Sequence, residues 1–262
     1  MYYYITEPAR SREDQQAEER IRELLIRHSI AGEFVTTSPT RGVEELAEMG
    51  VAKKYTTLVA VGSEPFLNQL GTLLAGTPYV FGAIPVRRPD ALASVNGIRT
   101  HEEAVEALKF RRVRAVPICR IEPNKFFLSE LRMTATSDVG ARIRIDDALI
   151  ECNCREIVLT GSGTLDVQHV RQPAASGNVF RQLFGQRPKE VVETSHFHGH
   201  VLAIETNQPQ PFYLGSELFA RTPLAATTIP SSLKMITRRD TVSALSDVTP
   251  EAAEAVSQTN NW

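Results

Sequence analysis

Residues 56–69, TTLVAVGSEPFLNQ, constrain the fold more than any other stretch of this chain. Val59, Ala60 and Val61 form an apolar run without alternation, as expected of a strand covered on both faces. Gly62 permits a tight turn, and Phe66, Leu67, Leu70, Leu73 and Leu74 then recur at helical spacing. Strand, glycine turn and helix together form the geometry in which backbone N–H groups hold an anion. The residues of the turn oppose that use: Pro65 has no N–H, while Ser63 and Glu64 add bulk and negative charge. Glu64-Pro65 also reads as an ordinary first helical turn, with an acid near the positive end of the dipole and a proline where no N–H is needed.

The flanking sequence repeats this unit. Strands are expected at residues 2–5, 33–37, 79–86 and 115–121. Between them, Ala17, Ile21, Leu24 and Leu25 share one face of a charged helix, a second helix surrounds residues 43–49, and a short helix follows the fourth strand. Ala104, Val105 and Leu108 mark a further helix over residues 101–109. The alternation predicts a doubly wound α/β domain over residues 1–122. After Pro123, residues 126–133, 141–145, 156–160, 165–170, 201–206 and 233–237 are short, β-branched or aromatic runs, which predict an antiparallel domain over residues 123–240. Helices are expected within it at residues 178–184 and 189–193. Residues 241–262, rich in Ser, Thr, Asn and Ala, offer little to bury and are expected to be a disordered tail.

The formal net charge of −2 over 262 residues gives no electrostatic case for nucleic acid or an acidic membrane surface. No stretch reaches the ~20 apolar residues that span a bilayer. The N-terminal sequence MYYYITEPARSRED lacks the basic-then-apolar order of a signal peptide, so a cytoplasmic protein is expected. Cys119, Cys152 and Cys154 are odd in number and lack CxxC spacing, which fits reduced thiols. His196, His198 and His200 alternate along an expected strand, sharing a face at spacings of about 6.6–7 Å. They read as a solvated strand, or as metal ligands if the strand bends. Residues 160–164, TGSGT, read as a hairpin connection.

In their order along the chain, several motifs resemble the diacylglycerol kinase catalytic-domain family, which includes sphingosine and bacterial lipid kinases. Gly62 to Gln69 stand where that family carries Gly-Gly-Asp-Gly-Thr-Leu-Asn-Glu, with Gly62, Leu67 and Asn68 identical. Gly82-Ala83-Ile84-Pro85-Val86 is similar to its Gly-Ile-Ile-Pro-Leu strand, and Arg87, Arg88, Pro89, Asp90 and Ala91 replace the Gly-Thr-Gly-Asn-Asp turn that follows. Gly163-Thr164-Leu165-Asp166-Val167 resembles Gly-x-Leu-Asp-Val, and residues 201–206 resemble Val-x-Ile-Glu-Thr. Glu217, six residues before Pro223, stands where the family carries Asp-Gly-Glu ahead of Thr-Pro. Glu7-Pro8-Ala9-Arg10 occupies the place of Asn-Pro-x-Ser-Gly, and Pro117 that of an aspartate.

The resemblance implies an α/β domain of the NAD kinase/diacylglycerol kinase type, then an antiparallel β-sandwich, with a cleft between them for ATP, Mg²⁺ and a lipid alcohol. Gly62, Ser63, Glu64, Asn68, Arg87, Arg88 and Asp90 would contact the nucleotide, Glu64 would hold the metal, and Glu217 would take the proton of the acceptor hydroxyl. The expected activity is ATP-dependent phosphorylation of a lipid hydroxyl, with peripheral membrane contact compatible with such a substrate. The alternative is a pseudokinase or binding module on the same scaffold. NAD kinase is a more distant third reading, because that family's additional substrate-binding motifs are not found.

Overall fold

A computed structural model of the chain describes residues 1–87, 90–171 and 191–238. Three strands form its parallel centre: β1 (Tyr2–Thr6), β3 (Thr57–Gly62) and β4 (Val80–Pro85). Every residue of all three is buried, as the unbroken apolar runs required. β2 (Gly32–Thr36) flanks β1, giving the order β2-β1-β3-β4. Helices cover both faces, and alternate residues of each strand serve each cover. Tyr3, Ile5, Leu58 and Ala60 pack with residues of α2 (Val43–Ala52) and α3 (Glu64–Leu73). Tyr2, Tyr4, Val59 and Val61 pack with α1 (Arg12–Arg27) and α5 (His101–Phe110). Between β4 and α5 lies the short α4 (Asp90–Asn96).

Hydroxyl caps set two of these helices. Ser11 accepts from the N–H of Asp14 at 3.1 Å, and Thr100 accepts from that of Glu103 at 3.2 Å. α3 starts differently: Ser63 is its N-cap, its side chain caps nothing, and Pro65 falls in the first turn. That is the placement expected of Glu64-Pro65.

The strand expected at residues 115–121 forms, as β5 (Val113–Ile121), but it does not extend the parallel sheet. It runs antiparallel to β14 (Leu224–Ile236), whose last residues lie parallel to β4, with Lys234 opposite Val80. The other strands are antiparallel. A stretch expected as one strand at residues 126–133 divides into β6 (Lys125–Phe127) and the start of β7 (Glu130–Ile145). β7 forms a long hairpin with β8 (Ala148–Thr160), and β9 (Thr164–Arg171) follows across the TGSGT turn. Val191–Glu193, expected to be helical, instead begin β10 (Val191–His198), where valines at 191 and 192 favour the extended chain. β11 (Val201–Thr206) pairs with β7 and β14, and β12 (Pro211–Leu214) with β13 (Glu217–Arg221) makes a hairpin not anticipated from sequence. Among the described residues all fourteen strands belong to one hydrogen-bonded sheet. A second core, including Cys119, Phe127, Leu131, Ile143, Ile157, Leu202 and Phe212, lies on its antiparallel part. The helix expected at residues 178–184 and the expected tail lie outside the described residues.

Candidate functional site

β2 lies on one side of β1 and β3 on the other, so the winding reverses between β1 and β3. A reversal of this kind opens a crevice at the carboxyl ends of the strands, the usual ligand position in such sheets. Glu7 leaves the end of β1, its N–H donating to Val61 at 2.9 Å, and Ser63 leaves the end of β3. A cavity of about 290 Å³ opens there. Its walls are residues 7–10, Asp14 and Glu18 of α1, residues 62–65, Val86 and Arg87 after β4, and the turn of the β12–β13 hairpin, residues 215–217.

The anion position at the turn is already used by the chain itself. Glu7 Oε2 accepts a hydrogen bond from the Ser63 N–H at 2.7 Å, and Oε1 accepts one from Arg10 at 2.7 Å. A Cβ on Gly62 would lie 2.8 Å from the Cβ of Glu7 and 2.9 Å from its Oε2, so only glycine permits this approach. Arg87 is likewise engaged. Its Nε and Nη2 donate to Asp14 Oδ1 and Oδ2 at 2.9 and 3.2 Å, the planar fork matching the carboxylate. This bond, above all, holds the Asp14 carboxyl below its usual range against the opposing effect of burial, with help from the Ser11 hydroxyl and the Arg10 N–H. Burial, reinforced by the nearby Asp14 charge and opposed by Arg22, raises the Glu18 carboxyl.

From the other side, Gly215 adopts a left-handed conformation, φ +57°, and its Cβ position lies 3.4 Å from Glu64 Oε2. Glu217, at the start of β13, lines the same cavity and is exposed. The fold therefore brings Gly62, Ser63, Glu64, Arg87 and Glu217 together. Asn68 does not line the cavity. Its amide donates to Phe126 O at 3.1 Å and accepts from Leu128 N at 2.9 Å, tying α3 to β6. Asp90 opens α4, and Arg88 lies outside the described residues. Glu7 and Arg10 were met in the sequence only as departures from a motif, and Asp14 and Glu18 were not singled out. The last two stand four residues apart on α1, which puts them on one helix face, but nothing local says what that face meets.

Five carboxylates, those of Glu7, Asp14, Glu18, Glu64 and Glu217, face two guanidiniums, those of Arg10 and Arg87. ATP with Mg²⁺ does not fit these residues. The Ser63 N–H is bonded to Glu7, Pro65 offers none, the Arg87 fork holds Asp14, and the excess negative charge opposes a polyphosphate. Among the described residues no three His, Cys, Asp or Glu side chains are grouped as metal ligands. The histidines conform to this: His196 Nδ1 lies 2.8 Å from Asp166, and His200 falls beyond the end of β10, its ring 5.9 Å from that of His198.

Solved structures of similar architecture carry telling descriptions. The chain aligns with one described as a diacylglycerol kinase from Bacillus anthracis str. Sterne at 16% identity and a TM-score of 0.63, covering 91% of this chain and 97% of that one. A putative diacylglycerol kinase from the same organism aligns at 15% identity and a TM-score of 0.67 with the same coverage. A third, also described as putative, gives 14% and 0.65 over 90% of this chain and 97% of that one. The chain shares the diacylglycerol kinase fold. No protein-family model and no curated protein sequence matches it. The crevice between β1 and β3 follows from the strand order of this fold. No helix among the described residues is long and apolar enough to cross a membrane.

Proposed function

We propose that this protein is a non-catalytic binding module on the diacylglycerol kinase fold, one that keeps the crevice at the strand reversal and does not hold ATP in it. The observation that carries this reading is the 2.7 Å hydrogen bond from the Ser63 N–H to Glu7. A phosphate at the turn would have to displace a bound carboxylate and enter a cavity with surplus negative charge. The occupant favoured by this chemistry lacks phosphates, such as an uncharged lipid alcohol or a protein segment. The test is transfer of labelled phosphate from ATP, with Mg²⁺, to diacylglycerol or a sphingoid base in mixed micelles. No transfer above the protein-free rate is expected, and turnover would overturn the proposal.

A second reading, an active lipid kinase, is favoured by one observation: Glu217 and the turn at residues 62–65 line one cavity. A carboxylate there could take the acceptor's proton. In that case turnover would be present and Glu217→Ala would abolish it.

A further inference from the structure

β9 and β10 pair antiparallel at the end of the sheet, and their register brings a serine and a histidine to one face. Ser195 lies opposite Val167 and His169 opposite Glu193, so all four side chains leave the same side. That side faces the second core: Val167 is buried in it, and Phe197, two residues beyond Ser195, packs against it. Ser195 and His169 are themselves half-buried. His169 Nε2 lies 3.2 Å from Ser195 Oγ, and its Nδ1 lies 3.1 Å from Asn153 O. A carbonyl oxygen only accepts, so Nδ1 of the neutral ring carries the proton and Nε2 accepts from the Ser195 hydroxyl. The ring is thus held at both ends, in the tautomer that a general base requires.

We propose that Ser195 is a nucleophile activated by His169, with Asn153 O as the positioning group, and that it takes an acyl group from a carboxylic ester. Nucleophile, base and orienting group stand in hydrogen-bonded sequence, the arrangement that activates a serine hydroxyl. In the reaction Ser195 Oγ attacks the ester carbonyl as its proton passes to His169 Nε2. The Oγ–C bond forms and the carbonyl electron pair moves to oxygen. When that pair returns, the C–O bond to the alcohol breaks, and His169 gives its proton to the departing alkoxide. Water then attacks the acyl group, loses a proton to the same nitrogen, and releases a carboxylic acid as the Ser195 hydroxyl is restored. Glu193, opposite His169, puts a negative charge on the face where the imidazolium forms. Phe197 gives the acyl chain an apolar flank. β9 is the one strand partner of β10 among the described residues, so alternate N–H groups of β10 point outward and can donate to the oxyanion. Neither strand lines the cleft, so this activity does not depend on what the cleft holds.

The full chain treated with a fluorophosphonate probe should carry the adduct on Ser195, located by peptide mass spectrometry. It should also hydrolyse p-nitrophenyl acetate faster than the same chain in urea. Ser195→Ala should remove both signals. His169→Gln and His169→Asn keep the hydroxyl and remove the base, and whichever of them folds, judged by its melting curve, should slow both reactions about a hundredfold. Equal labelling of the folded and urea-treated chain, an adduct elsewhere with Ser195 unmodified, or an unchanged rate in a folded His169 variant would overturn the proposal.

Discussion

Glu7 sets the chemistry of the cleft at the scale of one residue. Its carboxylate satisfies a backbone N–H at the start of α3, lies against Gly62, and adds to the negative charge of the cavity. Glu7→Ala should cost about 1.5–3 kcal/mol in urea denaturation, the usual worth of a charged hydrogen bond. Gly62→Ala should cost about 1–3 kcal/mol, because the added methyl meets Glu7 and Phe66, each at 2.8 Å. Asp14 gives a pH-dependent prediction. Its folded carboxyl is held low by Arg87, so the associated stability is present at neutral pH and is lost as pH falls through that depressed value. Asp14→Asn should therefore lower the melting temperature at pH 7, with the difference from the parent shrinking below about pH 4, the ordinary carboxyl value. A constant difference down to strongly acidic pH would contradict this.

The site depends equally on how elements are joined. α3 is fixed to β6 by both ends of the Asn68 amide, one donating to Phe126 O and one accepting from Leu128 N. Asn68→Ala leaves two backbone groups without that partner and should cost about 2–3 kcal/mol, read from denaturant unfolding. A neutral substitution would mean that Asn68 serves the cleft rather than the fold. The matching asparagine in the motif was legible in the sequence; its partners, about 60 residues away, were not. β1, β3 and β4 were legible because a strand buried on both faces must be apolar throughout. β7 was legible only as two separate runs, residues 126–133 and 141–145, since its register against β8 shifts between Thr134 and Val139 and breaks the period of two on which strand reading relies. β5 was recognised as a strand, but its partner was not, because nothing within Val113–Ile121 distinguishes pairing with β4 from antiparallel pairing with β14.

In the molecule as a whole, the sheet carries the chain from a parallel, helix-covered centre into a larger antiparallel part, and the β12–β13 turn returns to the cleft. That return explains why Glu217 could be matched to a family position from its spacing to Pro223 yet be placed in the same cavity as Glu64 only by the fold. Glu7 shows the converse. Its departure from the motif was visible in one residue, but the consequence, a carboxylate on the turn that ends β3, required β1 and β3 to be neighbours. The fold is that of diacylglycerol kinase structures, and the proposed binding module excludes ATP from its crevice. Calorimetric titration of the full chain with ATP and Mg²⁺ tests this most directly. No saturable heat is expected up to ligand concentrations of about 1 mM, corresponding to binding weaker than about 4 kcal/mol. Saturable micromolar binding by the parent chain, with the Glu7 carboxylate in place, would contradict it.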